Sequence, residues 1–106
     1  KIENDATPLT NHTTNNQILK IPIAHSEGRY IADDNTLNDL KANNQILFSY
    51  CNENGAPENP NGSALNIAGI SNLQKNVIGM MPHPERAAET DLGNTDGLLL
   101  FKSLLR

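Results

Sequence analysis

The sequence predicts an α/β domain whose sheet is partly antiparallel. Short runs rich in β-branched residues alternate with two amphipathic helical patterns, which is the signature of a sheet covered by helices. Some of those runs are separated by only a few turn residues, and a connection that short forces antiparallel pairing. At 106 residues the chain is one domain or part of one, long enough for a small hydrophobic core. It begins at Lys1 rather than Met and carries no signal peptide, so it is expected to be excised from a longer protein.

The elements follow in order. "QILKIPIAH", Gln17–His25, reads as the first strand, with Pro22 favouring an edge or a bulge because proline cannot donate to the ladder. Gly28 in "SEGRYIA" marks a bend, and Arg29–Ala32 reads as a second short strand. "DDNTLNDLKANN" reads as a helix: Asp33 or Asp34 caps it, Leu37 and Leu40 share a face, and Asn43 and Asn44 end it. "QILFSYC", Gln45–Cys51, is the next strand. "NENGAPENPNGS" holds two Asn-Gly pairs and an Asn-Pro, which makes it a long exposed loop.

"NIAGIS" and "NVIGMM" read as two more strands joined by the turn "NLQK". "TDGLLLFKSLLR" closes the chain as a helix capped by Thr95 or Asp96. Leu98, Phe101, Leu104 and Leu105 give it an apolar stripe, and Lys102 and Arg106 suit its C-terminal dipole. Two helices cannot cover both faces of such a sheet, so one face is expected to await residues outside the chain.

Composition excludes several function classes. The net charge is only −4 and the eight basic residues are scattered, whereas a nucleic-acid footprint concentrates them. No apolar run approaches the roughly 20 residues that span a bilayer. A single cysteine, Cys51, excludes an internal disulfide framework and suits a reducing cytoplasm. No pair of histidines or cysteines has metal-ligand spacing, so no metal site is expected, and there is no Walker-type glycine loop.

The stretch "GMMPHPERAAE" carries the most chemistry. Pro84 pushes His83 towards an extended backbone, and if extension persists the side chains of His83 and Glu85 point the same way. A carboxylate there can fix one ring nitrogen and leave the other free as a base, which is two thirds of a catalytic triad at the end of a strand. The alternative is structural: Pro84 as the first residue of a helix, with Glu85 favourable to its dipole.

Other candidates are weaker. Cys51 enters a polar loop without a following helix or glycine elbow, which describes a structural thiol rather than a nucleophile. His25, Glu27 and Arg29 in "AHSEGRY" occupy alternate strand positions and either line a cleft or form a solvated strand end. His12, among threonines and asparagines, reads as a loop residue.

"KIPIAHSEGRY", "NPNGS", "NIAGI" and "GMMPHPERA" occur in the order and rough spacing of one family. Over nearly all its length the chain resembles the C-terminal half of the glutaminase subunits of phosphoribosylformylglycinamidine synthase, which are class I glutamine amidotransferases. Ser26 stands where members usually carry glycine. The resemblance implies the second part of an open, mostly parallel, flavodoxin-like sheet with an antiparallel portion. It implies His83 and Glu85 as two members of a cysteine–histidine–glutamate set whose nucleophile lies in the other half. If His25 and Glu27 serve binding in such a protein, they line the glutamine cleft or the ammonia exit.

The activity implied is hydrolysis of glutamine to glutamate and ammonia. A large synthetase subunit uses the ammonia, with ATP and magnesium, to convert formylglycinamide ribonucleotide into its amidine in purine biosynthesis. A small third subunit bridges the two, and no cofactor is implied in this chain. Two other readings stand beside this one: a class I amidotransferase of another pathway, and a non-catalytic α/β interaction domain.

Overall fold

The computed structural model describes residues 1–21, 30–60, 62–87 and 95–105. Its centre is a three-stranded sheet of order β1-β2-β3, built from β1 (Ile46–Ser49), β2 (Ile67–Ser71) and β3 (Ile78–Met80). Both neighbouring pairs run antiparallel. This is the antiparallel portion expected from the sequence, and no parallel pair occurs among the described residues.

The β1–β2 register slips twice, between Ile46 and Phe48 and again between Phe48 and Ser49. Strict alternation is lost there, and Leu47 and Phe48 are both buried. Residues 1–3 extend the sheet beyond β1: Ile2 bridges Phe48, and the Glu3 N–H donates to the Leu47 carbonyl at 2.8 Å. Ile2, Leu47, Phe48, Ala68 and Leu100 form the core. Gly69 is required within β2, because a Cβ there would run into the Phe48 ring and lie 3.2 Å from the Met80 Cβ.

The β2–β3 turn is written by one residue. The Asn72 side-chain oxygen accepts from the N–H groups of Asn76 and Val77 at 3.0 and 3.1 Å, while its own N–H donates to the Val77 carbonyl. Most of the described residues of the 52–63 loop are exposed, as expected, but Ser63 is buried and two asparagine-centred turns organise the segment. Asn52 Oδ1 accepts from the Asn54 and Ala56 N–H groups, and Asn59 Oδ1 from those of Gly62 and Ser63. Ala64–Asn66 then forms a 3-10 turn in which Leu65 and Asn66 both have positive φ.

Helix α1 spans Asp34–Ala42 and follows the sequence closely: Asp33 caps it through Oδ1 to the Thr36 N–H, and Asn43 ends it. Leu40 is its one buried residue, with Leu37 half-buried beside it. Helix α2 spans Leu98–Leu105. The expected stripe is corrected for Leu98, Phe101 and Leu104, since the buried positions among the described residues 97–104 are Gly97, Leu100 and Ser103 and Leu104 is 54 % exposed; the side chain of Leu105 lies outside the described structure. The helix is apolar around most of its circumference, so periodicity could not choose the face. Ser103 faces inward because its hydroxyl accepts the His12 N–H at 2.8 Å and donates to the Leu99 carbonyl.

Two expected strands are also corrected. Residues 17–21 of the proposed strand Gln17–His25 are irregular. Gln17 pairs through its carbonyl with Ile2, but the Lys20 N–H is taken by the Asp96 carboxylate at 2.8 Å instead of a neighbouring strand. Residues 30–32 of the second proposed strand are likewise irregular, and the rest of both segments lies outside the described residues.

Candidate functional site

The site grows out of the end of β3. The Met81 N–H donates to the Ala68 carbonyl at 3.0 Å, carrying the β2 pairing one residue past Met80. Pro82 cannot donate a further rung, and the chain leaves the sheet. His83 follows, and Pro84 opens a 3-10 turn over Pro84–Ala87 that contains Glu85. Proline suits that first position because its fixed φ is already helical and its missing N–H has no partner to lose.

His83 Nδ1 lies 3.2 Å from Glu85 Oε2. Pro84 starts a helical turn, as the structural alternative expected, and the two side chains still meet across it. The extended route expected for the contact is corrected, since the two side chains converge across the turn rather than along a strand.

The side chains are 37 % and 56 % exposed, and an ion pair so open to water adds little to stability. Its geometry matters for chemistry instead. An ionised Glu85 can only accept, so Nδ1 is the donor, and Nε2 keeps the lone pair that can take and return a proton.

Cys51 is half-buried and free, and its backbone forms an isolated bridge with Pro57. A turn follows it, stabilised by the Gly55 N–H donating to the Asn52 carbonyl at 3.0 Å, so no helix N-terminus faces its sulfur. It lines a cavity of about 240 Å³ together with Phe48, Ala68, Met80 and Pro82, which makes it part of the packing beneath the residue before His83. His25, Glu27 and Arg29 lie outside the described residues. His12 engages through its backbone, in the loop that rests on α2.

Among the described residues, no group of three or more His, Cys, Asp or Glu is placed to hold a metal ion, and no helix is long and apolar enough to cross a membrane. A residue the sequence did not single out is Gly97, where α2 meets the turn carrying Glu85. The Asp96-Gly97 pair before an apolar run was the only signal, and it reads as punctuation.

At the end of β3, then, a proline-bracketed histidine sits with a carboxylate 3.2 Å from one ring nitrogen, an arrangement that can take and return a proton at the other. The chain belongs to the CobB/CobQ-like glutamine amidotransferase domain family, whose model matches residues 1–95. It is 56 % identical over 108 residues to phosphoribosylformylglycinamidine synthase subunit PurQ of Acaryochloris marina, an alignment covering 99 % of this chain and 46 % of that one. The subunit of the same name from Moorella thermoacetica is 54 % identical, over 99 % of this chain and 46 % of that protein. The fold matches a chain of the structure of PurLQS from Thermotoga maritima with a TM-score of 0.80 and 38 % identity, over 98 % of this chain and 42 % of that one. The chain thus spans about half the length of the curated relatives it matches.

Proposed function

We propose that this chain is the C-terminal half of the glutaminase subunit of phosphoribosylformylglycinamidine synthase, and that His83 and Glu85 are its catalytic base and orienting carboxylate. The observation that carries the reading is the 3.2 Å contact between His83 Nδ1 and Glu85 Oε2 at the end of β3. The names of the relatives at 56 % and 54 % identity support the choice of this synthase over other amidotransferases.

The chemistry follows from the pair. A cysteine, carried by the half of the domain outside this chain, gives its thiol proton to His83 Nε2 while Glu85 holds Nδ1–H, and the thiolate attacks the side-chain amide carbon of glutamine. His83 returns that proton to the amide nitrogen, so that the C–N bond breaks, ammonia departs and a glutamyl thioester is left. His83 then takes a proton from water, which attacks the thioester; the C–S bond breaks, glutamate is freed, and the proton goes back to the sulfur. Cys51 has no part in these steps. His25 and Glu27 are assigned to the glutamine cleft.

The ammonia is consumed by a large synthetase subunit that uses ATP and magnesium, a small subunit bridges the two, and the assembly works in the cytoplasm. The test uses the complete subunit assembled with its synthetase. His83→Ala should abolish most glutamine-driven synthesis while synthesis from added ammonium salts continues, because free ammonia bypasses the thiol. General acid–base assistance is worth about 10²–10⁴-fold, so the loss should be plain. If both nitrogen sources fail together, or neither fails, the assignment is wrong.

A further inference from the structure

The turn that carries Glu85 is not held by its own sequence alone. Helix α2 packs against it, and the approach is closest at Gly97. A Cβ on Gly97 would lie 2.9 Å from both the Cα and the carbonyl carbon of Pro84, and closer still to the Pro84 carbonyl oxygen. Carbon atoms settle at about 3.5–4.0 Å, so the smallest side chain would have to push the Pro84 backbone aside by roughly 0.5–1 Å.

The displaced atoms are peptide backbone, which has no rotamer into which it can retreat. Gly97 has no positive φ, unlike Gly55 and Gly62, so its requirement comes from packing and not from backbone conformation. The start of α2 has little freedom to yield. The Leu98 N–H donates to the Thr95 carbonyl at 3.0 Å, the Leu100 N–H to the Gly97 carbonyl at 3.2 Å, and the Asp96 carboxylate accepts the Lys20 N–H. Leu100 and Ser103, one and two turns on, are fully buried.

Pro84 stands between His83 and Glu85, so any movement of its backbone changes the vector from one side chain to the other. Their contact is 3.2 Å, the long end of the range for an N–H···O hydrogen bond, and a few tenths of an ångström more would break it. We propose that Gly97 is a positioning residue for the His83–Glu85 pair: its missing side chain lets α2 seat directly on Pro84 and sets the geometry in which Glu85 holds the imidazole. The inference rests on the glutaminase reading above.

The test uses the complete subunit assembled with its synthetase, comparing Gly97→Ala and Gly97→Val with His83→Ala. Misplacing a catalytic group by about 1 Å can cost 10²-fold. For Gly97→Ala the expected result is a roughly 10- to 100-fold fall in kcat for glutamine, with KM for glutamine and co-purification with the synthetase unchanged and the thermal midpoint lowered by a few degrees at most. Gly97→Val should fall further in kcat.

A merely structural glycine would lose assembly yield and change kcat and KM together, and that outcome overturns the proposal. Wild-type kcat in Gly97→Ala, alongside a dead His83→Ala, overturns it while leaving the glutaminase reading intact. Normal glutamine use in His83→Ala removes both. Should Gly97→Val fail to fold, the alanine variant alone decides by the same kcat-against-KM split.

Discussion

Glu85 can serve His83 in two chemically separable ways: its oxygen can hold the ring in place, and its charge can stabilise the imidazolium that forms as the proton moves. Glu85→Gln keeps the first and removes the second, so glutamine-driven synthesis should fall less than in His83→Ala, with ammonium-driven synthesis and thermal unfolding near wild type. Full activity in Glu85→Gln would reduce Glu85 to the opening of a helical turn. The residues of this pair were legible in "PHPE" because the prolines constrain their neighbours whatever the tertiary structure does. The way they meet was not legible, since Pro84 can end an extended segment or begin a turn. Gly97 stayed hidden because its role depends on a backbone 13 positions earlier, and no local pattern records such an approach.

At the scale of elements, α1 shows a cap whose energetics depend on pH. The Thr36 side chain first, and then the Thr36 N–H donating to Asp33 Oδ1 at 2.8 Å, hold the Asp33 carboxyl below the ordinary aspartate value of 3.8. A carboxyl with a lowered value in the folded state contributes stability above its unfolded value and loses it as pH falls through the folded one. Asp33→Ala should therefore lower the thermal midpoint at pH 7, and the gap to wild type should close as the pH drops below 3.8. Asp33→Asn should retain most of the cap without the pH dependence. A gap that stays constant from pH 7 to pH 3 would count against this account. Elements with their own start and stop chemistry, such as α1 and the Asn72 hairpin, were readable in the sequence. The segment at 17–21 was not, because the Asp96 carboxylate 76 positions away takes its Lys20 N–H.

At the scale of the whole molecule, one face of the sheet carries an apolar groove among the described residues. Tyr30, Ile67, Ala68, Gly69, Ile70 and Met80 line a groove of about 330 Å³, extended by Gly79 and Met81. In relatives about twice as long, more chain is available to cover such a face. The 106-residue chain alone should bind a hydrophobic fluorescent dye and self-associate as its concentration rises. Ile70→Lys should reduce both, and a dye-silent monomer would show that the groove closes by itself. The antiparallel portion of the sheet followed from the short turns between its strands. Which face of α2 turns inward did not, because leucines occupy nearly every side of it and only Ser103, with its partner His12, breaks the tie.

That Leu40 is the one buried residue of α1 has a dynamic consequence. A helix of 9 residues is too short to persist in water without tertiary support, and one buried side chain supplies little of it. Opening of α1 should therefore precede global unfolding, as a sub-global fluctuation in which the sheet stays formed. In hydrogen–deuterium exchange the amides of residues 37–42 should label well before those of Leu47 and Ala68, which belong to the core. Simultaneous labelling of helix and sheet would mean that the domain opens as one cooperative unit.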